Sequence, residues 1–377
     1  MDDASKLIFN HPGIKAEQKV TEANGVKTPV ANTFVVTATG VPDGIYEVRF
    51  SGRFGVSNPR SFVVGSRKEI NEIEPNNARE QATPVELNST VNGRSDGSTF
   101  DYFKLTGKAG QRLLAICQSG KIDSKLKPVV ELQDANGRRL AFARGATRRD
   151  ALLDATLPSD GDYFVRVIDQ VYAGGNDHFY RLTLTTGPYI DFVLPPAGAA
   201  GSNMPVTLFG RNLPGGQPAG VSIDGRPLEK VAVSVPVPGD IENATANDNL
   251  GALQGGVDAF SFVWSTPVGN ANPITLFVSS APVSLEQEPN DAPAQANKLT
   301  VPAEVAGQFQ ARGDVDYFTF DAKAQEVYWI EAFGDRQGSP ADPYVTLDRV
   351  SKDDKGTETV QRITAQDDTG TNLVPNV

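Results

Sequence analysis

The residues best suited to chemistry are acidic, and they come twice. Glu72-Ile73-Glu74-Pro75-Asn76-Asn77 returns as Glu286-Gln287-Glu288-Pro289-Asn290-Asp291, 214 residues later (286 − 72). Each copy is followed by one triplet, Asp101-Tyr102-Phe103 or Asp316-Tyr317-Phe318, and these lie 215 residues apart (316 − 101). One inserted residue therefore separates two parallel stretches, and a repeated module governs how the rest of the chain is divided. Two glutamates, two amide or carboxylate side chains and a later aspartate form an all-oxygen donor set. Such a set suits a hard cation better than catalysis. The plainer alternative is a solvated turn, with Pro fixing φ and Asn residues capping the turn.

Other chemistry is poorly supplied. His11 and His178 are the two histidines, one before a proline and one after a Gly-Gly-Asn-Asp turn. No Gly-x-Ser-x-Gly elbow, His-Glu-x-x-His pair or phosphate loop occurs. A Ser-His-Asp triad is assembled in space rather than in sequence, but two histidines in separate loops point to a protein that is not an enzyme. Arg312-Gly313-Asp314 spells an adhesive tripeptide where the repeat needs a turn. Asn88-Ser89-Thr90 and Asn243-Ala244-Thr245 read as glycosylation acceptors, meaningful in a eukaryotic secretory pathway. Tyr172, Phe179 and Tyr180 flank Gly174-Gly175 and either line a binding face or close the end of a domain.

Bulk properties narrow the classes. A chain of 377 residues exceeds one ordinary core, which suggests roughly two to four domains. With 39% hydrophobic residues, packed cores are available and wholesale disorder is excluded. A net charge of −11 and a pI near 4.8 argue against nucleic acid, which needs clustered Lys and Arg. Cys117 is the single cysteine, so no intrachain disulfide exists, and its place in Leu113-Leu-Ala-Ile-Cys117 marks a buried thiol. No apolar run is long enough to span a bilayer. Met1-Asp-Asp-Ala-Ser-Lys-Leu7 lacks the basic start and apolar stretch of a signal peptide. Either the protein is intracellular or the chain is a piece of something longer.

The elements that must position the acidic residues read as strands. Gly44-Ile-Tyr-Glu-Val-Arg-Phe50, Asp162-Tyr-Phe-Val-Arg-Val-Ile168 and Phe179-Tyr-Arg-Leu-Thr-Leu-Thr185 alternate with period two and end in turn residues. No segment carries a convincing helical stripe. The expected fold is all-β: tandem antiparallel β-sandwich domains, jelly-roll-like and immunoglobulin-like. Four segments are expected: 1–66, a partial immunoglobulin-like domain; 67–187, a complete sandwich holding the first repeat; 188–284, immunoglobulin-like; and 285–377, the second repeat. The last stops before counterparts of the strands at 162–168 and 179–185, so it is expected to be truncated and loosely packed, and the chain to be a fragment.

The repeat resembles the bacterial pre-peptidase C-terminal domain, a module of secreted proteins related to collagenase collagen-binding domains. The likeness is carried by the two acidic motifs, by Asp101-Tyr-Phe103 before Gly-Lys-Ala-Gly-Gln111, by Leu157-Pro-Ser-Asp-Gly161 with Asp162-Tyr-Phe-Val-Arg-Val167, and by Gly313-Asp-Val-Asp-Tyr-Phe318. It covers 70–187 fully and 286–377 in part. Val206-Thr-Leu-Phe-Gly-Arg-Asn-Leu213 resembles the opening of an immunoglobulin-like domain of the IPT/TIG sort, and the alternation is similar to large secreted planctomycete proteins. The first resemblance implies calcium ligands at Glu72, Glu74, Asn76, Asn77 and Asp101, and at Glu286, Glu288, Asn290, Asp291, Asp314 and Asp316. The first copy departs from the pattern, because Asp96-Gly-Ser-Thr-Phe-Asp101 stands where the second has Gly313-Asp-Val-Asp316. That spacing leaves no clear role for Asp96.

These readings lead to a non-catalytic, secreted or cell-surface array for adhesion or scaffolding, its linkers stabilised by calcium. The rival is the accessory, substrate-binding region of a secreted peptidase whose catalytic domain lies outside this chain. An extracellular protein or a polysaccharide is the expected partner, with no nucleic acid and no membrane insertion.

Overall fold

A computed structural model describes residues 4–145, 150–241, 258–334, 339, 341–352 and 355–367. Strand dominates, and the helices among the described residues are three-residue 3₁₀ turns at Arg79–Gln81, Gly120–Ile122 and Pro293–Gln295. None is long and apolar enough to cross a membrane.

The expectation of tandem antiparallel β-sandwich domains is overturned. The chain is all-β, but its strands are arranged as a β-solenoid of stacked coils, and the jelly-roll-like and immunoglobulin-like assignments fall with that expectation. Antiparallel ladders are common within sheets, yet parallel pairs recur along the chain. Lys68–Asn71 pairs in parallel with Ser89–Asp96, Thr83–Pro84 with Asp101–Gly107, and Ala197–Ala199 with Ile274–Ser279. A parallel pair needs a crossover that returns the chain to the same end of the sheet. Period-two alternation fixes which side chains face inward but is blind to strand direction. The sequence pattern therefore fits both arrangements.

Residues 68–185 lay two five-stranded sheets against one apolar cluster. One sheet runs Arg139–Arg144, Pro128–Asp134, Gly161–Asp169, Asp101–Gly107, Thr83–Pro84; the other runs Ala151–Thr156, Arg112–Gln118, Gly174–Thr185, Ser89–Asp96, Lys68–Asn71. Phe103, Leu105, Leu113, Leu132, Val165, Leu182 and Cys117 are buried between them. Parity decides the fate of Asp101: it shares the inward face of its strand with Phe103 and Leu105, so a carboxylate is carried into the edge of the core.

Before this unit, Ala4–Phe9, Gly44–Gly52, Gly55–Val56 and Arg60–Val64 form one sheet. A long, exposed hairpin of Ile14–Ala23 and Val26–Ala38 turns at Asn24-Gly25, both at positive φ (53° and 76°), as a tight hairpin turn requires. After it, Tyr189–Leu194, Asn203–Arg211, Arg226–Pro236 and Gln217–Ile223 make a four-stranded sheet over a second apolar cluster around Leu208, Val235 and Phe260.

A buried set of charges joins these two parts. Asp154 accepts from Arg112 Nη2 at 2.6 Å and from Arg211 Nη1 at 2.7 Å, while Arg211 Nε reaches Asp191 at 3.1 Å and Arg112 Nη1 reaches Glu229 at 3.2 Å. Asn212 Nδ2 adds a bond to the Arg112 carbonyl at 3.0 Å. The side chains of Arg211 and Asp154 are 3% and 4% exposed, so each charge depends on the others for compensation.

The described residues of the second repeat form two parallel strand pairs and an antiparallel hairpin of Val345–Lys352 and Glu358–Gln366. Val283–Leu285 pairs in parallel with Glu304–Ala306, and Asn297–Leu299 with Phe318–Phe320, mirroring the two parallel pairs of the first copy. Ala306 is the one buried apolar side chain among the described residues beyond 284, and it is still 8% exposed. Val327 and Trp329 are 96% and 87% exposed, so little core forms there.

Candidate metal centre

In the first copy the motif starts where the strand Lys68–Asn71 leaves its sheet. Glu72 N–H donates to the Asn92 carbonyl at 3.0 Å, which turns the Glu72 side chain over the neighbouring strand. There its Oε1 accepts the Arg94 N–H at 2.6 Å. Gly93 makes that possible: a Cβ at this position would lie 2.5 Å from Tyr180 Cζ and 2.6 Å from Glu72 Oε2. The Glu74-Pro75 bond is cis, and Glu74 Oε2 accepts the Asn76 N–H at 3.1 Å. Tyr102 N–H then donates to the Asn76 carbonyl at 2.9 Å, fastening the motif to the strand that begins at Asp101.

These bonds gather three carboxylates. One oxygen each from Glu72, Glu74 and Asp101 lies within 4.8 Å of the others, and none of the three forms an ion pair among the described residues. Tyr180, buried on the strand Gly174–Thr185, sets its hydroxyl 2.7 Å from Asp101 Oδ2 and 3.0 Å from Glu72 Oε2. A phenol has one proton for two carboxylates, so with both ionised one contact lacks a donor, and protonation of one of them supplies it. Burial, followed by the charges of Glu72, Glu74 and Asp96, pushes the Asp101 carboxyl up to about 8 against the opposing hydrogen bond from Tyr180. Burial likewise raises Glu72, and burial and the nearby Asp101 raise the Tyr180 phenol.

The second copy repeats this construction. Glu286, Glu288 and Asp316 bring one oxygen each within 4.8 Å. Gln308 N–H donates to Glu286 Oε1, Asn290 N–H to Glu288 Oε2 at 2.8 Å, and Tyr317 N–H to the Asn290 carbonyl at 3.0 Å. Gly307 stands where Gly93 does, with no side chain to displace Glu286, and Glu288-Pro289 is again cis. Asp316 is pushed up to about 6 by burial and then by Asp314, Glu288 and Asp291. Among the described residues no tyrosine hydroxyl bonds to Glu286 and Asp316 as Tyr180 does to Glu72 and Asp101.

The chemistry of the donors fits Ca²⁺. All are oxygens, three of each set carry charge, and two chain segments supply them, as a large and geometrically tolerant cation allows. The fit is sharpened by buried atoms with nothing to bond. Asn76 and Asn290 are fully buried, yet neither amide finds a hydrogen-bond partner through Oδ1 or Nδ2. The Asn76 amide lies close enough to Glu72 to favour its ionisation, but completes no well-formed bond. Asp101 Oδ1, Glu286 Oε2 and Asp316 Oδ1 are unpartnered as well. Orphaned polar atoms of this kind are costly, and a cation would give the unpartnered oxygens among them a partner, which the two Nδ2 donors would not gain from it.

Not every residue expected at the site sits with the trios. Asn77 is exposed; Asp291 and Asp314 lie beside the second trio, close enough to raise Asp316, their mutual bond raises Asp291, and the Gln310 N–H, followed by that bond, lowers Asp314. Asp96 is exposed and lies 3.7 Å from Arg94. Arg312 and Gly313 occupy a turn in which Asp314 Oδ2 accepts the Gln310 N–H. Asn88 spends its side-chain oxygen on Thr185 and Thr186; Asn243 lies outside the described residues. Gly93 carries no signal in the sequence, and Tyr180 stands there as a candidate for a binding face or a domain end rather than for the acidic site. A buried phenol needs a polar partner, and that was the available signal for Tyr180.

Comparisons with known proteins touch part of the chain. No family model matches it. It is 29% identical over 121 residues to a "probable subtilase-type serine protease" of Deinococcus radiodurans, covering 30% of this chain and 16% of that protein. The match thus spans well under two thirds of the relative. Among solved structures, the pre-peptidase C-terminal domain of a collagenase from Bacillus anthracis aligns with 29% of this chain and 99% of its own, at 17% identity and a TM-score of 0.24.

Proposed function

We infer that the chain is a non-catalytic accessory region of a secreted peptidase, in which Ca²⁺ holds each acidic linker against the strand that follows it. The observation that carries the calcium half is the duplicated trio: two sites 214 residues apart (286 − 72), each with three carboxylates and a buried, unpartnered asparagine. A solvated turn would not bury an asparagine amide without partners. The internal repeat would serve an adhesive or scaffolding array equally well. The likeness to part of a serine protease turns the reading toward an accessory role and toward an extracellular setting.

The test is thermal unfolding of the full chain with calcium and with chelator. A cation at 100 times its Kd adds about 2.7 kcal/mol to a state it binds selectively, which raises Tm by several degrees. Glu74→Gln keeps the size and one oxygen while removing the charge, and should shrink that shift. A Tm indifferent to calcium would reduce Glu-Pro-Asn-Asn to a plain turn.

A further inference from the structure

The strand Arg139–Arg144 is the outer edge of its five-stranded sheet, paired on one side with Pro128–Asp134. Leu140, Ala141 and Ala143 pack toward the core. Phe142 points the other way, 52% exposed, with the Arg139 and Arg144 guanidinium carbons 5.1 and 5.7 Å from its ring centroid. Little nearby acid neutralises this pair. Arg139 reaches Glu131 at 3.6 Å, but Glu131 is already bonded to Arg166 at 2.6 Å, and Arg144 forms no ion pair among the described residues. Two cations on one exposed ring are conspicuous in a chain of net charge −11.

We propose that this edge binds an extended acidic peptide by strand addition, its backbone pairing along Arg139–Arg144 and its carboxylates meeting Arg139 and Arg144. An edge strand supplies amide donors and acceptors that match another peptide backbone. Neither a polysaccharide nor a nucleic acid offers that complement, so the open edge favours a peptide over other polyanions. The guanidinium groups select acidic side chains through charge-assisted bonds, and Phe142 offers an apolar contact between them. The competing explanation is defensive: charged residues on an edge strand discourage pairing with other chains. The proposal does not depend on the calcium reading.

The experiment is fluorescence anisotropy of a labelled, alternating Glu-Val peptide titrated with the full chain. The comparisons are a Lys-Val peptide, a backbone N-methylated Glu-Val peptide and a heparin oligosaccharide. Saturable binding of the Glu-Val peptide alone, weakened about tenfold or more by R144Q with Tm unchanged, supports the proposal. Equal binding of the N-methylated peptide means charge attraction without strand addition and overturns it. Preferential binding of heparin overturns it in favour of a polysaccharide site. Absence of saturable binding leaves Arg139 and Arg144 as edge guards, and equally overturns it.

Discussion

The Tyr180 hydroxyl lies between two carboxylates, 2.7 Å from Asp101 and 3.0 Å from Glu72, and among the described residues is the one neutral donor side chain bonded to both. It ties the linker to Gly174–Thr185, the central strand of its sheet, which pairs with Ser89–Asp96 on one side and Arg112–Gln118 on the other. Removing the hydroxyl should therefore hurt most when no cation is present. In Tyr180→Phe we expect a loss of about 1–3 kcal/mol in chelator, from carboxylates left without a donor, and a smaller loss in calcium. Urea unfolding under both conditions measures the difference; equal losses would place the effect in packing alone.

A pH dependence follows from Asp101. Its carboxyl is pushed up to about 8 in the folded chain, against about 3.9 when unfolded. The folded state holds the extra proton between those values. The stabilisation is therefore complete below about pH 4 and is lost as pH rises through 8, by at most about 1.4 kcal/mol per pH unit. In chelator, the stability difference between wild type and Asp101→Asn should shift against wild type across this window. Calcium should reverse the trend, because its ligands must be deprotonated. A difference that stays flat with pH would refute the burial of an ionisable Asp101.

Gly93 and Gly307 offer a comparison between the sites. Gly93→Ala drives a methyl into both Glu72 and Tyr180, so we expect about 1–3 kcal/mol of destabilisation and a reduced calcium shift. At Gly307 the obstacle is the half-exposed Glu286 carboxylate alone. Gly307→Ala should cost less and lower calcium stoichiometry, read by isothermal titration, without moving the main unfolding transition.

At the junction, Arg211→Ala strands Asp154 and Asp191 without a partner both had shared. Breaking one member of a buried charge set costs about 3–5 kcal/mol. Arg49→Ala removes a pair with Glu47 whose side chains are 40% and 48% exposed, and should cost under about 1 kcal/mol. Denaturant unfolding of both variants checks the contrast.

Much of the site was legible because the repeat aligns itself. Glu72, Glu74 and Asp101 could be picked out by matching Glu286, Glu288 and Asp316, and strand parity from Phe103 and Leu105 already places Asp101 inward. Strand positions and their inner faces follow from alternation in the same way. Strand direction does not, which is why stacked coils replaced the expected sandwiches. Tyr180 escaped because its relation to Asp101 is made across 79 residues of chain, and Gly93 because it acts by what it lacks. Asn77 lies in the bend after Glu74-Pro75-Asn76 and is exposed, a difference from buried Asn76 that the shared residue type does not signal.

The junction at Asp154 also bears on where such a chain could work. Ion pairs on a surface fade as dissolved salt rises, whereas pairs withdrawn from solvent are screened far less. Arg211 and Asp154 are almost wholly withdrawn. The coupling they make between successive coils should thus be as stiff in brine as in fresh water, and bending there would require water to enter before either charge could let go.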